Sequence, residues 1–353
     1  MFRYSTDSNI RKAVKLWLLA GLVMIFFQIV IGGITRLTGS GLSITRWEIV
    51  TGSIPPLNES DWKSEFDLYK ATPQYQKINQ GMELSAFKFI YFWEYFHRLW
   101  ARLMFFVFMI PFIWFLFNGM LSKRIVPRLV VMVGLAGLEG FFGWIMVASG
   151  LNHRPWVNAY NLTLHLTMAL IIFTHLLWTF FIAWHPNRKL AFAGSMPWLL
   201  LVFCFIQIAF GALMSGTKAG LLYPSWPDMQ GFLIPAVLFD GAQWQTESFT
   251  HYDSNPFFPS LVQFLHRNMA YILSGLLVYF SWRHWSNAQI RPMLYLLLGV
   301  LSVQVFLGII TLLNCIGQIP VLLGVLHQAG AVVLLAVLTY VTYISAGNKD
   351  YSI

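Results

Sequence analysis

Phe92-Trp93-Glu94-Tyr95-Phe96-His97-Arg98 places a carboxylate, an imidazole and a guanidinium within five residues of one another in an otherwise apolar run. Each ionisable group set at the centre of a bilayer costs about 2.5–3.5 kcal/mol on insertion scales, so such a cluster needs mutual pairing or a function. That its surroundings are hydrocarbon follows from the whole chain, whose 353 residues are 57% hydrophobic, 17% aromatic and only 10% charged. A soluble domain carries about 25% charged residues. The formal net charge of +9 does not indicate nucleic acid. Its basic residues fall in short clusters between apolar runs, as the positive-inside rule distributes them.

Apolar runs predict an all-α polytopic membrane protein with eight transmembrane helices near 16–35, 88–117, 127–148, 160–184, 196–215, 259–281, 292–313 and 320–344. Lys123, Arg124 and Arg128, then Arg188 and Lys189, then Arg283 and Arg291 mark the short connections as cytoplasmic, which puts both termini on that side. The first helix follows a basic N-terminus, lacks a cleavage site and reads as uncleaved; no transit peptide precedes it, favouring the bacterial cytoplasmic (inner) membrane. The first outer connection, about 36–87, reads as a short amphipathic surface helix. The third, about 216–258, is rich in Pro and Gly and reads as an ordered, irregular cover. Cys204 and Cys315 have no CxxC spacing and read as small buried hydrophobes.

An internal repeat divides the chain into an N-terminal half, 1–190, and a C-terminal half, 191–353. Gln28-Ile29-Val30-Ile31-Gly32 aligns with Gln207-Ile208-Ala209-Phe210-Gly211, the match runs on to Gly41-Leu42 and Gly220-Leu221, and His97-Arg98 aligns with His266-Arg267. His165 and His327 fall in the fourth helix of each half. Two pseudo-symmetric four-helix bundles result, related by an axis along the membrane normal. His266 and His327 each follow a proline by seven residues, which sets both about 10 Å below the outer surface if each proline opens its helix. His97 and His165 enter from the same side. Paired imidazoles on facing helices suit the axial ligands of a membrane b-type haem, whereas zinc or a di-metal centre needs further Cys, Asp or Glu at ligand spacing. Arg98 and Arg267, one residue on, are candidate partners for haem propionates, or else snorkel to headgroups. His185 and His284 sit at cytoplasmic ends, His153 and His251 in outer loops, and His175 faces roughly 80° away from His165.

The halves differ in one respect: Glu94 precedes His97 by three residues, and Gln263 stands at the matching place before His266. Glu94 either neutralises Arg98 or takes part in proton transfer or cation stabilisation beside a haem. Glu139 is a second intramembrane acid that reads as lacking a counterpart, serving a proton route or pairing with an arginine such as Arg102.

Taken together, Gly32-Gly33-Ile34-Thr35-Arg36-Leu37-Thr38-Gly39-Ser40-Gly41, Glu94-Tyr95-Phe96-His97-Arg98, His165, Leu265-His266-Arg267 and Leu326-His327-Gln328 resemble the haem A synthase family over essentially the whole chain. With no cysteine between residues 36 and 87, the chain resembles the cysteine-free branch that includes mitochondrial members. The resemblance implies an oxidoreductase that converts the C8 methyl of haem O to a formyl group by successive hydroxylation with water-derived oxygen, giving haem A for cytochrome oxidase. It implies substrate haem O and product haem A between His97 and His165 with Glu94 catalytic, and a permanent haem b between His266 and His327. Partners implied are haem O synthase, cytochrome oxidase assembly factors, membrane lipid and a second copy in a homo-oligomer. The alternatives are a dihaem b-type cytochrome exchanging electrons with quinone, which leaves the Glu94/Gln263 difference unexplained, and a transporter, which needs a polar path to both faces.

Overall fold

The computed structural model describes residues 4–6, 10–46, 54–151, 154–185 and 194–346. Among these the chain is helical, with no β-strand beyond isolated bridges. The helices are α1 (Lys12–Leu37), α2 (Glu59–Lys70), α3 (Pro73–Lys77), α4 (Leu84–Phe117), α5 (Val126–Leu151), α6 (Ala159–Trp184), α7 (Met196–Gly216), α8 (Thr246–Thr250), α9 (Phe257–Arg283), α10 (Arg291–Leu313) and α11 (Val321–Ser345). Seven of them, α1, α4, α5, α6, α7, α10 and α11, are long and apolar enough to cross a membrane. At 27 residues α9 is as long. It is more polar because Gln263, His266, Arg267, Asn268 and Arg283 all lie on it. His153, Arg188 and Lys189 lie outside the described residues.

The chain forms two compact units, Met1–Phe173 and Thr174–Ile353. In the first, α1 and α4 run antiparallel, and their polar groups show the register. Trp17 Nε1 donates to the Val107 carbonyl (2.9 Å), Trp100 Nε1 to Met24 (3.0 Å) and the Thr35 hydroxyl to Trp93 (3.2 Å). An indole in hydrocarbon needs such an acceptor, so each bond fixes one level of the pair. With 34 residues α4 is roughly 50 Å long, more than the ~30 Å hydrocarbon layer. Its first turns pack against α2 in a cluster of Phe66, Tyr69, Phe87, Ile90 and Tyr91, with Phe66 and Phe87 stacked at 4.9 Å. Helix α2 forms there because Asn58 caps it, accepting from Asp61 N, and because Phe66 and Tyr69 supply one buried face. Burial raises the pKa of the Tyr69 hydroxyl. Tyr69 donates to Gln74 Oε1, and Gln74 donates on to the Gly39 carbonyl at 2.9 Å, which ties the surface helices to the end of α1.

That end is shaped by glycine. Gly39 adopts φ +70°, the Ser40 N–H reaches back to the Thr35 carbonyl, and the Gly39 N–H to Arg36, a Schellman closure that turns the chain sharply back over α4. In the second unit α7 lies against α9 and α10 against α11, while the Thr342 hydroxyl of α11 donates to the Pro197 carbonyl of α7. The connection between α7 and α9 is built from short 3-10 turns and α8, an irregular cover as its Pro and Gly content predicts. Cys204 and Cys315 are free and buried.

Candidate functional site

Each of the four histidines reaches across a helical hairpin onto a glycine of the preceding long helix. A Cβ built on Gly32 of α1 would lie 3.1 Å from His97 Cε1 on α4; on Gly143 of α5, 3.1 Å from His165 on α6; on Gly211 of α7, 3.3 Å from His266 on α9; and on Gly308 of α10, 2.8 Å from His327 on α11. Those glycines are therefore seats for imidazoles, a role that close helix packing alone does not describe. One turn before each glycine stands a side chain that addresses the same ring. Gln28 Nε2 lies 3.3 Å and 3.4 Å from the two ring nitrogens of His97, Gln207 Nε2 lies 3.1 Å from His266 Nδ1, and Gln304 Nε2 lies 3.1 Å from His327 Nδ1. Gln304 and Gln28 donate as well to the backbone carbonyls of their histidines, at 3.0 Å and 3.4 Å.

The fourth such position is Glu139, whose Oε1 lies 3.1 Å from His165 Nδ1. Glu139 thus has counterparts after all, Gln304 in the matching helix of the other half and Gln28 and Gln207 in the remaining hairpins, and the partner the structure gives it is His165. The recurring pattern is Gln-or-Glu, three residues, Gly, read at 28–32, 139–143, 207–211 and 304–308.

The spacing of the second pair and the donor set of both suit haem. The ring centroids of His266 and His327 are 6.5 Å apart with planes at 82°. Two imidazoles bonded to one metal atom at about 2.0 Å each put their centroids roughly 6.3 Å apart. Among the described residues no group of three or more His, Cys, Asp or Glu could hold a bare ion. A pair of imidazoles suits a metal that brings its equatorial ligands with it, as a porphyrin does. The Oε1 atoms of Gln28, Gln207 and Gln304 are buried without hydrogen-bond partners, so each amide that faces an imidazole keeps an unused acceptor.

Glu94 and Arg98 grip the returning loop. The buried Glu94 carboxylate accepts from the Ser43 hydroxyl and the Ile44 N–H, both at 2.8 Å, through Oε2, and from Arg98 at 2.5 Å through Oε1. Arg98 donates further to the Ile44 and Arg46 carbonyls. The second half repeats this grip with different chemistry. Gln263 donates to the Tyr223 carbonyl at 2.8 Å, and Arg267 to the carbonyls of Tyr223 (3.0 Å), Ser225 (2.7 Å) and Asp228 (2.6 Å). Ile44 and Tyr223 occupy equivalent places after the repeated Gly-Leu. A carboxylate can only accept, so it draws in the loop's N–H; the amide donates and takes the loop's carbonyl instead. The buried Arg267 Nε has no hydrogen-bond partner.

Outside the hairpins, His284 ends α9, where burial followed by the charge of Arg283 lowers its pKa. His251 bonds its neighbour Thr250 through Nδ1. The Tyr343 hydroxyl donates to the His185 carbonyl, a backbone contact that leaves the ring out of the bond.

A model of the family described as cytochrome oxidase assembly protein matches residues 15–339. Curated relatives align over nearly all of their own length. A "Heme A synthase" of Flavobacterium psychrophilum is 39% identical over 93% of this chain and 97% of the relative. One from a Caulobacter species is 40% identical over 94% and 96%, and one from Bradyrhizobium diazoefficiens 40% over 95% and 92%.

Proposed function

The chain belongs to the cytochrome oxidase assembly family, and on that footing we propose that it is a multi-pass membrane oxidoreductase converting haem O to haem A. The observation that carries this reading beyond kinship is the pairing of four seated histidines with an acid in one half only, Glu94 against Gln263. In this reading α9 is an eighth span, its polar residues turned to a haem and to the outer loop, and the two halves form pseudo-symmetric four-helix bundles. Both termini lie on the cytoplasmic side of a bacterial inner membrane. Substrate haem O sits between His97 and His165, and a permanent haem b between His266 and His327. That haem supplies one-electron redox chemistry when bound.

The residues divide the remaining work. His97 and His165 orient the macrocycle, and the glycine seats let their rings lie close against the preceding helix. Arg98 and Arg267 hold the outer loops over the two pockets and meet propionates there. Each oxidation at the methyl passes a pair of electrons to an external electron acceptor and releases two protons, water supplying the oxygen; because the electrons leave ahead of the protons, positive charge builds up near the substrate. Glu94, fixed by Ser43, Ile44 N–H and Arg98, is preorganised to stabilise that charge, and its Oε2 with the Ser43 hydroxyl offers a first acceptor for the released protons. Haem O synthase hands over the substrate, and assembly factors of the oxidase receive the product.

Pigment extraction from the purified protein tests the function, because an enzyme of this kind contains O-type or A-type haem and a dihaem cytochrome exchanging electrons with quinone contains only haem B. Finding haem B alone would overturn the proposal. The glycine seats give a second test. Gly308→Ala, whose Cβ would approach His327 to 2.8 Å, is expected to lower the haem content of the second pocket more than Gly211→Ala, where the approach is 3.3 Å. Haem-to-protein ratios measure this, and equal retention in both variants would remove the seating role.

A further inference from the structure

Three hairpins address their histidine with an amide, and one addresses it with a carboxylate. The difference lies within the first unit, at the pair Glu139 and His165. Oε1 of Glu139 is 3.1 Å from His165 Nδ1, yet the ring N–H is not aligned on it, and both Nδ1 and the second carboxylate oxygen, Oε2, are buried without a hydrogen-bond partner. Rotation of the ring about its outer torsion is the motion that aligns them. An amide carries a donor and an acceptor and can serve either imidazole tautomer. A carboxylate only accepts, so it holds the ring proton on Nδ1 and leaves the lone pair on Nε2, the nitrogen free to bind a metal. It also polarises the N–H bond and makes the imidazole a stronger donor to a metal on its far side. On Gly143 the ring is confined as tightly as His97 is on Gly32, so the difference between the two ligands of this pocket is chemical and lies in the residue one turn before the glycine.

We propose that Glu139 is a positioning residue that makes His165 the strongest electron donor of the four imidazoles, and so holds the haem of the first pocket more oxidised than a glutamine at that position would. The inference rests on the reading of His165 as an axial ligand. It gives the first half a second acid with a task separate from that of Glu94: Glu94 faces the outer loop, and Glu139 acts on the iron through a ligand. A stronger ligand field on that side favours the ferric state of the macrocycle whose methyl is being oxidised.

The experiment is a spectroelectrochemical titration of the full-length protein with the haems it carries on purification. Glu139→Gln makes the second hairpin like the other three. It is expected to raise the reduced-to-oxidised ratio of the first haem roughly tenfold at a fixed potential, equivalent to about 59 mV for one electron, while the second haem does not move. Gln304→Glu is the converse and is expected to lower that ratio for the second haem by a similar factor, leaving the first unchanged. A purely structural role for Glu139 would alter haem content or thermal stability without moving a potential. If Glu139→Gln fails to retain haem, Gln304→Glu decides the matter by the presence or absence of its shift. Unmoved potentials in the variants that retain haem overturn the proposal. His165→Ala separates this from the reading beneath it. If the low-spin bis-imidazole signature of the first haem persists in that variant, His165 is not a ligand and the underlying assignment falls. If the signature is lost while Glu139→Gln leaves the potential unmoved, only the role of Glu139 falls.

Discussion

Glu94→Gln is expected to leave haem bound in both pockets and to lower haem A formation by at least about 100-fold, the lower end of what a positioned acid or base contributes. The variant should fold, because the chain already contains the neutral version of this arrangement. At the equivalent place Gln263 is fully buried, donates to the loop carbonyl of Tyr223, and is followed by an arginine gripping the same loop. A glutamine at 94 loses the charge-assisted bond from Arg98, about 1.5–3 kcal/mol, but Arg98 keeps the Ile44 and Arg46 carbonyls. Haem content by pyridine haemochrome and haem type by chromatography separate the outcomes. Retained haem with no A-type product assigns Glu94 to the chemistry. Undiminished haem A would take it out of the mechanism and leave it as the anchor of the outer loop.

His266→Ala is expected to abolish the b-type absorbance of the second pocket and to lower total haem per chain by about half. With the imidazole gone, Gln207 and the seat at Gly211 face empty space, and His327, 6.5 Å from the lost ring, has no partner across a metal. The first pocket draws its histidines from α4 and α6 and should keep its haem. A reduced-minus-oxidised spectrum identical to that of the unaltered protein would refute the pairing of His266 with His327.

The parts of this design that stand out in the sequence are those that hydrocarbon makes costly. Histidines, arginines and acids inside apolar runs are conspicuous, which is why His97, His165, His266 and His327 stand out by their spacing. Most helix limits came within a few residues for the same reason, while α9 is polar enough to fall short of a span by composition. Amides and glycines carry no such signal. Gln28, Gln207 and Gln304 are uncharged, and a glycine in a membrane helix has a ready explanation in packing, so their shared task needed the rings to be seen lying on them. Aligning the four hairpins with one another, rather than one half with the other at its first two helices, would have exposed the four-residue spacing and shown that Glu139 stands where the others have glutamine. The hold of Arg98 and Arg267 on the loops was not legible at all, since its acceptors are backbone carbonyls, which every residue has.

The repeated spacing of glutamine or glutamate and glycine has a consequence for how such a protein can change. Glutamine and glutamate codons differ by a single base, and the two side chains are nearly equal in volume. Each hairpin therefore carries its own dial, set by one nucleotide, that alters what an imidazole offers to a metal with little change in side-chain volume. With four such dials in one chain, the electronic character of either pocket can drift by point mutation while the scaffold stays as it is.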